Sequence, residues 1–252
     1  MTCRLLQLNI QKGSHLDAVI RYINRHNFDI VCLQEVAGGR IGVGNVNCYE
    51  EILKRTHLRG NLAPYISITG DVSSFIGNAT FYKHTWIPKT VHVIWLKKHQ
   101  ELADPSGIDA RRVSRCALAT FFQKNNHELL VINTHLAWGP TPNDTLYKKN
   151  QAEKLYQWIR KQRRIPFILT GDFNLNPHTV IVSRLSRLGR NLTTQYKVTN
   201  TLNPRLHRLK MLFPSGLVVD YVIADKRFHI KKFFVEEADL SDHFGLITEF
   251  SL

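Results

Sequence analysis

Thr170-Gly171-Asp172-Phe173-Asn174 closes the apolar run Ile165-Pro166-Phe167-Ile168-Leu169, which has the length and the bounding turn residue of a fully buried β-strand. Side chains two residues apart in an extended chain project to the same side, so the Asp172 carboxylate and the Asn174 amide would be aimed together from a rigid support. Taken alone, the tetrad is also what an Asx turn at a strand end looks like. Its meaning depends on what stands at the ends of the other strands.

Upstream of this strand, Asn143 to Gln162 carries Leu146, Ala152, Leu155, Tyr156 and Ile159 roughly along one face and predicts a helix. Before it, Arg115 to Gln123 and Leu129 to His135 read as a hairpin whose second strand ends at Thr134-His135-Leu136. Earlier still, Leu5 to Ile10 predicts a strand delivering Asn9. A helix from a Ser14 cap to about Asn27 follows, and then the apolar run Ile30-Val31-Cys32-Leu33 stops at Gln34-Glu35. A carboxylate ending a buried strand is costly unless it is solvated or holds a cation, which makes Glu35 a candidate ligand. A glycine-rich loop, a short helix from Tyr49 to His57, and strands at Ile66–Ile68, Asn78–Tyr82 and Val91–Leu96 come next. Lys97 to Arg112 reads as an exposed excursion. Downstream, Thr179 to Leu188 predicts a helix, and Leu217–Ala224, Phe228–Glu236 and Phe244–Phe250 predict the final strands. There is no repeat, low-complexity tract or linker, so residues 1–252 are expected to form one domain of mixed strands and helices.

The chain's 252 residues and 43% apolar content suit a substantial core. No run approaches the roughly 18 continuous apolar residues that a membrane span needs. The opening residues lack the apolar segment of a signal peptide, so a cytoplasmic protein is expected. Cys3, Cys32, Cys48 and Cys116 form no C-x-x-C pair and are read as small buried thiols, not as ligands. The net charge of +14 and pI near 9.8 favour polyanionic partners.

Asn9, Glu35, His135, Asp172 with Asn174, Asp220, and Asp242 with His243 all fall at ends of apolar strands. A packed sheet could bring them to one mouth. The motifs Leu8-Asn9, Leu33-Gln34-Glu35, Asn133-Thr134-His135-Leu136, Gly171-Asp172-Phe173-Asn174, Asp220-Tyr221 and Ser241-Asp242-His243, in that order, resemble those of the endonuclease/exonuclease/phosphatase family. That family includes DNase I-like nucleases, exonuclease III-like repair enzymes, inositol-phosphate phosphatases and neutral sphingomyelinases. The fold this resemblance implies is a four-layered α/β sandwich, two mostly antiparallel sheets packed face to face with helices outside.

Phosphodiester hydrolysis needs charge neutralisation at the phosphoryl oxygens, an in-line water and help for the leaving alkoxide. Asn9, Glu35 and Asp242 offer oxygen donors suited to Mg²⁺ or Mn²⁺. By resemblance, Asp172 and Asn174 would position or deprotonate the water. His243, held by Asp220, would act as base or phosphate-binding cation, and His135 would donate to a phosphoryl oxygen or the leaving group. Asn78 stands where DNase I-like members carry a glutamate that orients the first histidine, and is expected to reach His135 or a phosphate. Arg115 fits a position that is often basic in the family, and Trp138 lies in a Gly-Pro loop that should border the mouth; all three are assigned to substrate binding.

Residues 173–219 contain no acidic residue but hold Arg184, Arg187, Arg190, Lys197, Arg205, Arg208 and Lys210. Part of this interval should flank the mouth, and nucleic acid is the expected partner of what is read as a monomeric metal-dependent nuclease or phosphodiesterase. The alternatives are a phosphatase or phospholipase C-like enzyme acting on inositol phosphates, phosphoinositides or sphingolipids, or a non-catalytic module. The last would be expected to have lost some of these residues, and none is lost.

Overall fold

A computed structural model describes residues 2–109, 113–208, 211 and 213–251. Lys210 and the 110–112 part of the excursion lie outside the described residues. The elements are β1 (Thr2–Asn9), α1 (Leu16–His26), β2 (Ile30–Gly38), α2 (Cys48–Arg55), β3 (Leu58–Ile68), β4 (Asp71–Lys83), β5 (Ile87–Lys97), β6 (Gln100–Leu102), β7 (Arg115–Lys124), β8 (His127–His135), α3 (Leu146–Lys161), β9 (Phe167–Asp172), α4 (Val180–Ser186), β10 (Arg190–Asn191), α5 (Leu192–Gln195), β11 (Asp220–Ala224), β12 (His229–Glu236) and β13 (Gly245–Ser251). One sheet runs β12-β13-β1-β2-β4-β3-β6 and the other β10-β11-β9-β8-β7-β5.

Burial alternates as stacked sheets require. Cys3, Leu5, Ile30 and Cys32 meet Phe122, Leu129, Val131 and Ile168 between the sheets. The opposite faces bury Leu6, Leu8 and Leu33 against α1 and α2, and Leu130, Ile132 and Leu169 against α3 and α4. This is the expected four-layered sandwich. The four cysteines are buried free thiols. Among the described residues, no helix is long and apolar enough to cross a membrane.

Local chemistry accounts for the helix starts. Thr145 and Thr179 accept from the Lys148 and Val182 amides, so α3 and α4 begin at side-chain caps. At α1 the cap position falls on His15, without a side-chain bond, and Ser14 instead donates to Gln11 Oε1 at 2.8 Å.

Candidate active site

Strand register, more than loop conformation, assembles the site. In the parallel β8–β9 pair His135 lies opposite Asp172, and in the antiparallel β9–β11 pair Asp172 lies opposite Asp220. Three ionisable side chains thus form a row across the end of one sheet. Gly171 permits the close approach: it has φ 145°, and a Cβ there would lie 1.8 Å from the Thr134 carbonyl oxygen. From the facing sheet, Asn9 Nδ2 donates to Asp172 Oδ2 at 3.1 Å. The Asn174 amide N–H donates to Asp172 Oδ1 at 2.8 Å. His243 arrives just before β13 and its Nδ1 is 2.9 Å from Asp220 Oδ2.

Asp172, Asp220 and His243 are buried, with ligand atoms within 4.8 Å of one another. Burial works against a charge on His243, but attraction and hydrogen bonding to Asp220, with help from Asp172 and Asp242, overcome it and raise its pKa to about 10. His243 is therefore an imidazolium at neutral pH, with Nε2 3.9 Å from Asp172 Oδ2. Burial and the neighbouring Asp220 push the Asp172 carboxyl upward, against the pull of His243 and its two donors. His135 moves the other way: burial first, then Arg115 and His243, hold it well below the ordinary histidine range, and it is neutral.

A cavity of about 590 Å³ opens over this row, lined by Asn9, Glu35, Arg115, His135, Trp138, Asp172, Asn174, Asp242 and His243. One expected residue behaves differently. Asn78 does not reach the mouth; it is fully buried and donates to the Cys116 carbonyl oxygen at 2.9 Å. Tyr65 stands beside His135 instead, with its hydroxyl 3.5 Å from Nδ1 and the Arg115 guanidinium over its ring at 5.0 Å. Of the basic interval, Arg208 lines the cavity. Arg184 pairs with Glu153 and Arg205 with Asp239, while Arg190 donates to the Phe228 carbonyl oxygen.

Glu35 occupies a bulge of β2 between Leu33 and Val36, at φ 53°. Among the described residues, no side chain hydrogen-bonds to or pairs with its carboxylate, although the residue lines the cavity. Asp242, which lines the same cavity, accepts from Gln11 Nε2 at 2.6 Å, and Asn9 Oδ1 accepts from the Gln11 backbone N–H at 3.0 Å. An unpaired carboxylate sharing a cavity with further carboxylate and amide oxygens offers the kind of donors that a hard divalent cation takes.

The sequence reading missed a set of buried amides behind the row. Gln7 Nε2 donates to Asp220 Oδ1 at 3.0 Å and to Gln34 Oε1 at 2.9 Å. Gln34 Nε2 donates to Asn133 Oδ1 at 2.7 Å, and Asn133 Nδ2 donates to the Leu33 and Ala79 carbonyl oxygens. This chain stitches the two sheets together beneath the site and fixes Asp220 from the side opposite His243. A second omission is Lys148, buried under the site with Nζ 2.9 Å from the Asn174 carbonyl oxygen.

A face-to-face α/β sandwich with this row at one sheet end defines a phosphoric-ester hydrolase of the DNase I-like superfamily. The chain matches the model of the endonuclease/exonuclease/phosphatase family over residues 6–243 and belongs to that family. No curated protein matches by sequence. Among solved structures, an endonuclease/exonuclease/phosphatase from Bacteroides vulgatus has a TM-score of 0.75 at 18% identity, covering 100% of this chain and 99% of that one. A mannosyl-6-phosphatase from Bacteroides thetaiotaomicron gives 0.72 at 16% identity, over 99% and 100% of the two chains. The human Nocturnin catalytic domain with a bound sulfate anion also gives 0.72 at 16%, over 99% and 93%. At these identities the likeness speaks for the fold alone.

Proposed function

We propose that this chain is a divalent-metal-dependent phosphodiester hydrolase acting on nucleic acid. The observation that carries the reading is the His243–Asp220 ion pair next to the buried Asp172 carboxyl, with His243, Asp172 and an otherwise unpaired Glu35 lining one cavity. A carboxyl whose pKa is raised is suited to take a proton from water at neutral pH, and a fixed imidazolium is suited to the negative charge that grows on a transferring phosphoryl group. Asn174 and the backbone that grips Asp172 would hold the water in line. Asn9, Glu35 and Asp242 would hold Mg²⁺ or Mn²⁺, which when bound neutralises phosphoryl oxygens as a Lewis acid. Lys12, Arg115 and Arg208 line the same cavity and, with the net charge of +14, favour a substrate carrying several phosphates.

One observation favours a second reading. The cavity falls within the roughly 300–1,000 Å³ typical of small-molecule sites, and Ile66, Ile76, Val113 and Phe213 give it an apolar wall. A phosphorylated small molecule or a lipid headgroup would fit there. Hydrolysis of plasmid DNA, abasic duplex, single-stranded RNA, inositol polyphosphates, sugar phosphates and sphingomyelin, each with Mg²⁺, Mn²⁺ or EDTA and beside Asp172→Ala, decides between them. Metal-dependent and Asp172-dependent cleavage of a nucleic acid supports the first reading. Turnover of the small substrates alone replaces it with the second, and full activity of Asp172→Ala refutes both.

A further inference from the structure

The proton on His135 can be placed from hydrogen-bond polarity. Asn174 Nδ2 lies 3.1 Å from the Leu136 carbonyl oxygen and 3.0 Å from His135 Nε2. A carbonyl oxygen only accepts, so the amide nitrogen must face that way; turning the amide over would set two oxygens against each other. The same –NH₂ group then donates to Nε2, which must carry its lone pair. The ring proton is left on Nδ1, the side of the Tyr65 hydroxyl.

The surroundings agree. The Leu136 carbonyl oxygen also accepts from Arg115 Nε at 3.2 Å, so it is a fixed, doubly used acceptor. Arg115 lies over the Tyr65 ring and sets a positive charge near the histidine. The groups facing His135 are thus Tyr65, Arg115, Asn174, Asp172 (Oδ2 3.5 Å from Nε2) and His243. Of these Asp172 alone would favour a proton on Nε2, and it is already engaged by the Asn174 amide N–H and Asn9.

We propose that His135 serves as a hydrogen-bond acceptor that locks the Asn174 amide, leaving Asn174 Oδ1 turned to the cavity, and that Tyr65 is the positioning residue that holds the required tautomer. The family resemblance suggested the opposite polarity, a histidine donating to the phosphoryl or leaving group. Here Nε2 has no proton to give, and the tyrosine stands beside the ring where Asn78 was expected in place of the family's glutamate. A carboxylate at that position would favour an imidazolium; a phenol, whose own pKa burial raises further, supports a neutral ring.

The tautomer is directly measurable and does not depend on the hydrolase reading; the kinetic consequence does. Long-range ¹H–¹⁵N correlation spectra of the labelled protein with Mg²⁺, His135 being assigned from His135→Gln, should show a protonated Nδ1 and a bare Nε2 between about pH 6 and 8, across the ordinary histidine pKa. A protonated Nε2 or an imidazolium overturns the proposal. In kinetics, His135→Gln can offer an oxygen near the place of Nε2 and should stay within about tenfold of wild type. His135→Leu should lose roughly a hundredfold in kcat, by the same factor on a p-nitrophenyl phosphodiester, whose leaving group needs no proton, and on a substrate with an alkoxide leaving group. A loss confined to the alkoxide substrate would make His135 a general acid and refute the assignment. Tyr65→Phe keeps the ring under Arg115 and should lower kcat about fivefold, the rate equivalent of ~1 kcal/mol, with KM unchanged. If no substrate is turned over, the hydrolase reading fails while the spectra still decide the tautomer.

Discussion

Replacing Lys148 by methionine tests whether the buried lysine under Asn174 is carried by the fold at an energetic cost. Its side chain is buried in the first turn of α3, with Nζ 2.9 Å from the Asn174 carbonyl oxygen and 3.4 Å from those of Thr141 and Asn143. Burial lowers its pKa from 10.5 to about 8, against the attraction of Asp172 and Asp144. Below pH 8 both folded and unfolded chains hold the proton, and the burial cost weighs fully on the fold. Between 8 and 10.5 the unfolded chain holds a proton that the folded chain has lost, so stability climbs with pH; above 10.5 the cost is gone. The fall from 10.5 to about 8 corresponds to about 3.4 kcal/mol. Two of the three residues whose carbonyl oxygens hold the ammonium, Thr141 and Asn143, are exposed, so solvent screening reduces the usable part to roughly half, about 2 kcal/mol.

Methionine keeps much of the volume and does not titrate. It loses the 2.9 Å bond, which leaves a carbonyl oxygen unpaired at a cost of about 1–3 kcal/mol. At pH 7 the two effects nearly cancel, and the variant should match wild type to within about 1 kcal/mol. By pH 10 wild type should have gained about 1.5 kcal/mol on it. Urea denaturation of both proteins at pH 7 and pH 10, read at equal m-values, measures the difference directly. Curves that move in parallel between the two pH values would refute the reasoning. The variant should also lose about tenfold in kcat, because the Asn174 carbonyl is no longer held.

Asp220→Asn removes the charge that outweighs burial at His243, so the His243 pKa should fall from about 10 to below the ordinary value near 6.5, as followed by NMR titration, and turnover should drop on the order of a thousandfold. In wild type the ion pair's contribution to stability is complete below about pH 6.5 and is lost as pH rises through about 10, a loss the variant should not show in thermal denaturation. Glu35→Gln should raise the Mg²⁺ concentration for half-maximal activity at least tenfold with little change in Tm, since among the described residues no side chain bonds to that carboxylate; an unchanged metal requirement would remove Glu35 from the site. Gly171→Ala sets a methyl 1.8 Å from the Thr134 carbonyl oxygen and should cost 3 kcal/mol or more, about the limit for a single substitution, measured by urea denaturation.

The layered fold was readable because apolar runs of strand length alternate with amphipathic helices. The row of His135, Asp172 and Asp220 was readable because each is the first or last residue of such a run. What escaped were the residues whose placement depends on register. The shift in the β3–β4 ladder between Pro64 and Ile66 leaves Tyr65 as an extra residue, and the shift in β2–β4 between Leu33 and Val36 does the same at Gln34-Glu35. In sequence, β3 and β4 show only as the fragments Ile66–Ile68 and Asn78–Tyr82, so neither the pairing nor its slip could be read. Asn78 was expected at the mouth because it stands where the resembled family carries a glutamate; it lies in mid-strand, opposite Ala63, with its side chain turned to the other sheet.

The two bulges have a functional logic that joins these misses. A regular strand alternates its side chains, so a residue next to a buried one must face away. A bulge breaks the alternation by one residue and re-aims a side chain without moving the strand. Glu35 takes the left-handed backbone that the β2 bulge needs, a conformation that disfavours a side chain of its kind and is tolerated where surrounding structure enforces it. Here the enforcement is the buried Gln7–Gln34–Asn133 chain, which pins the residue before Glu35 to the opposite sheet. The amide that fixes Asp220, and through it His243, is thus also bonded to the residue that sets Glu35 at its edge. The cation-binding and phosphate-facing halves of the proposed site share one buried support, so Gln7→Leu should disturb both, whereas Glu35→Gln and Asp220→Asn should each disturb one.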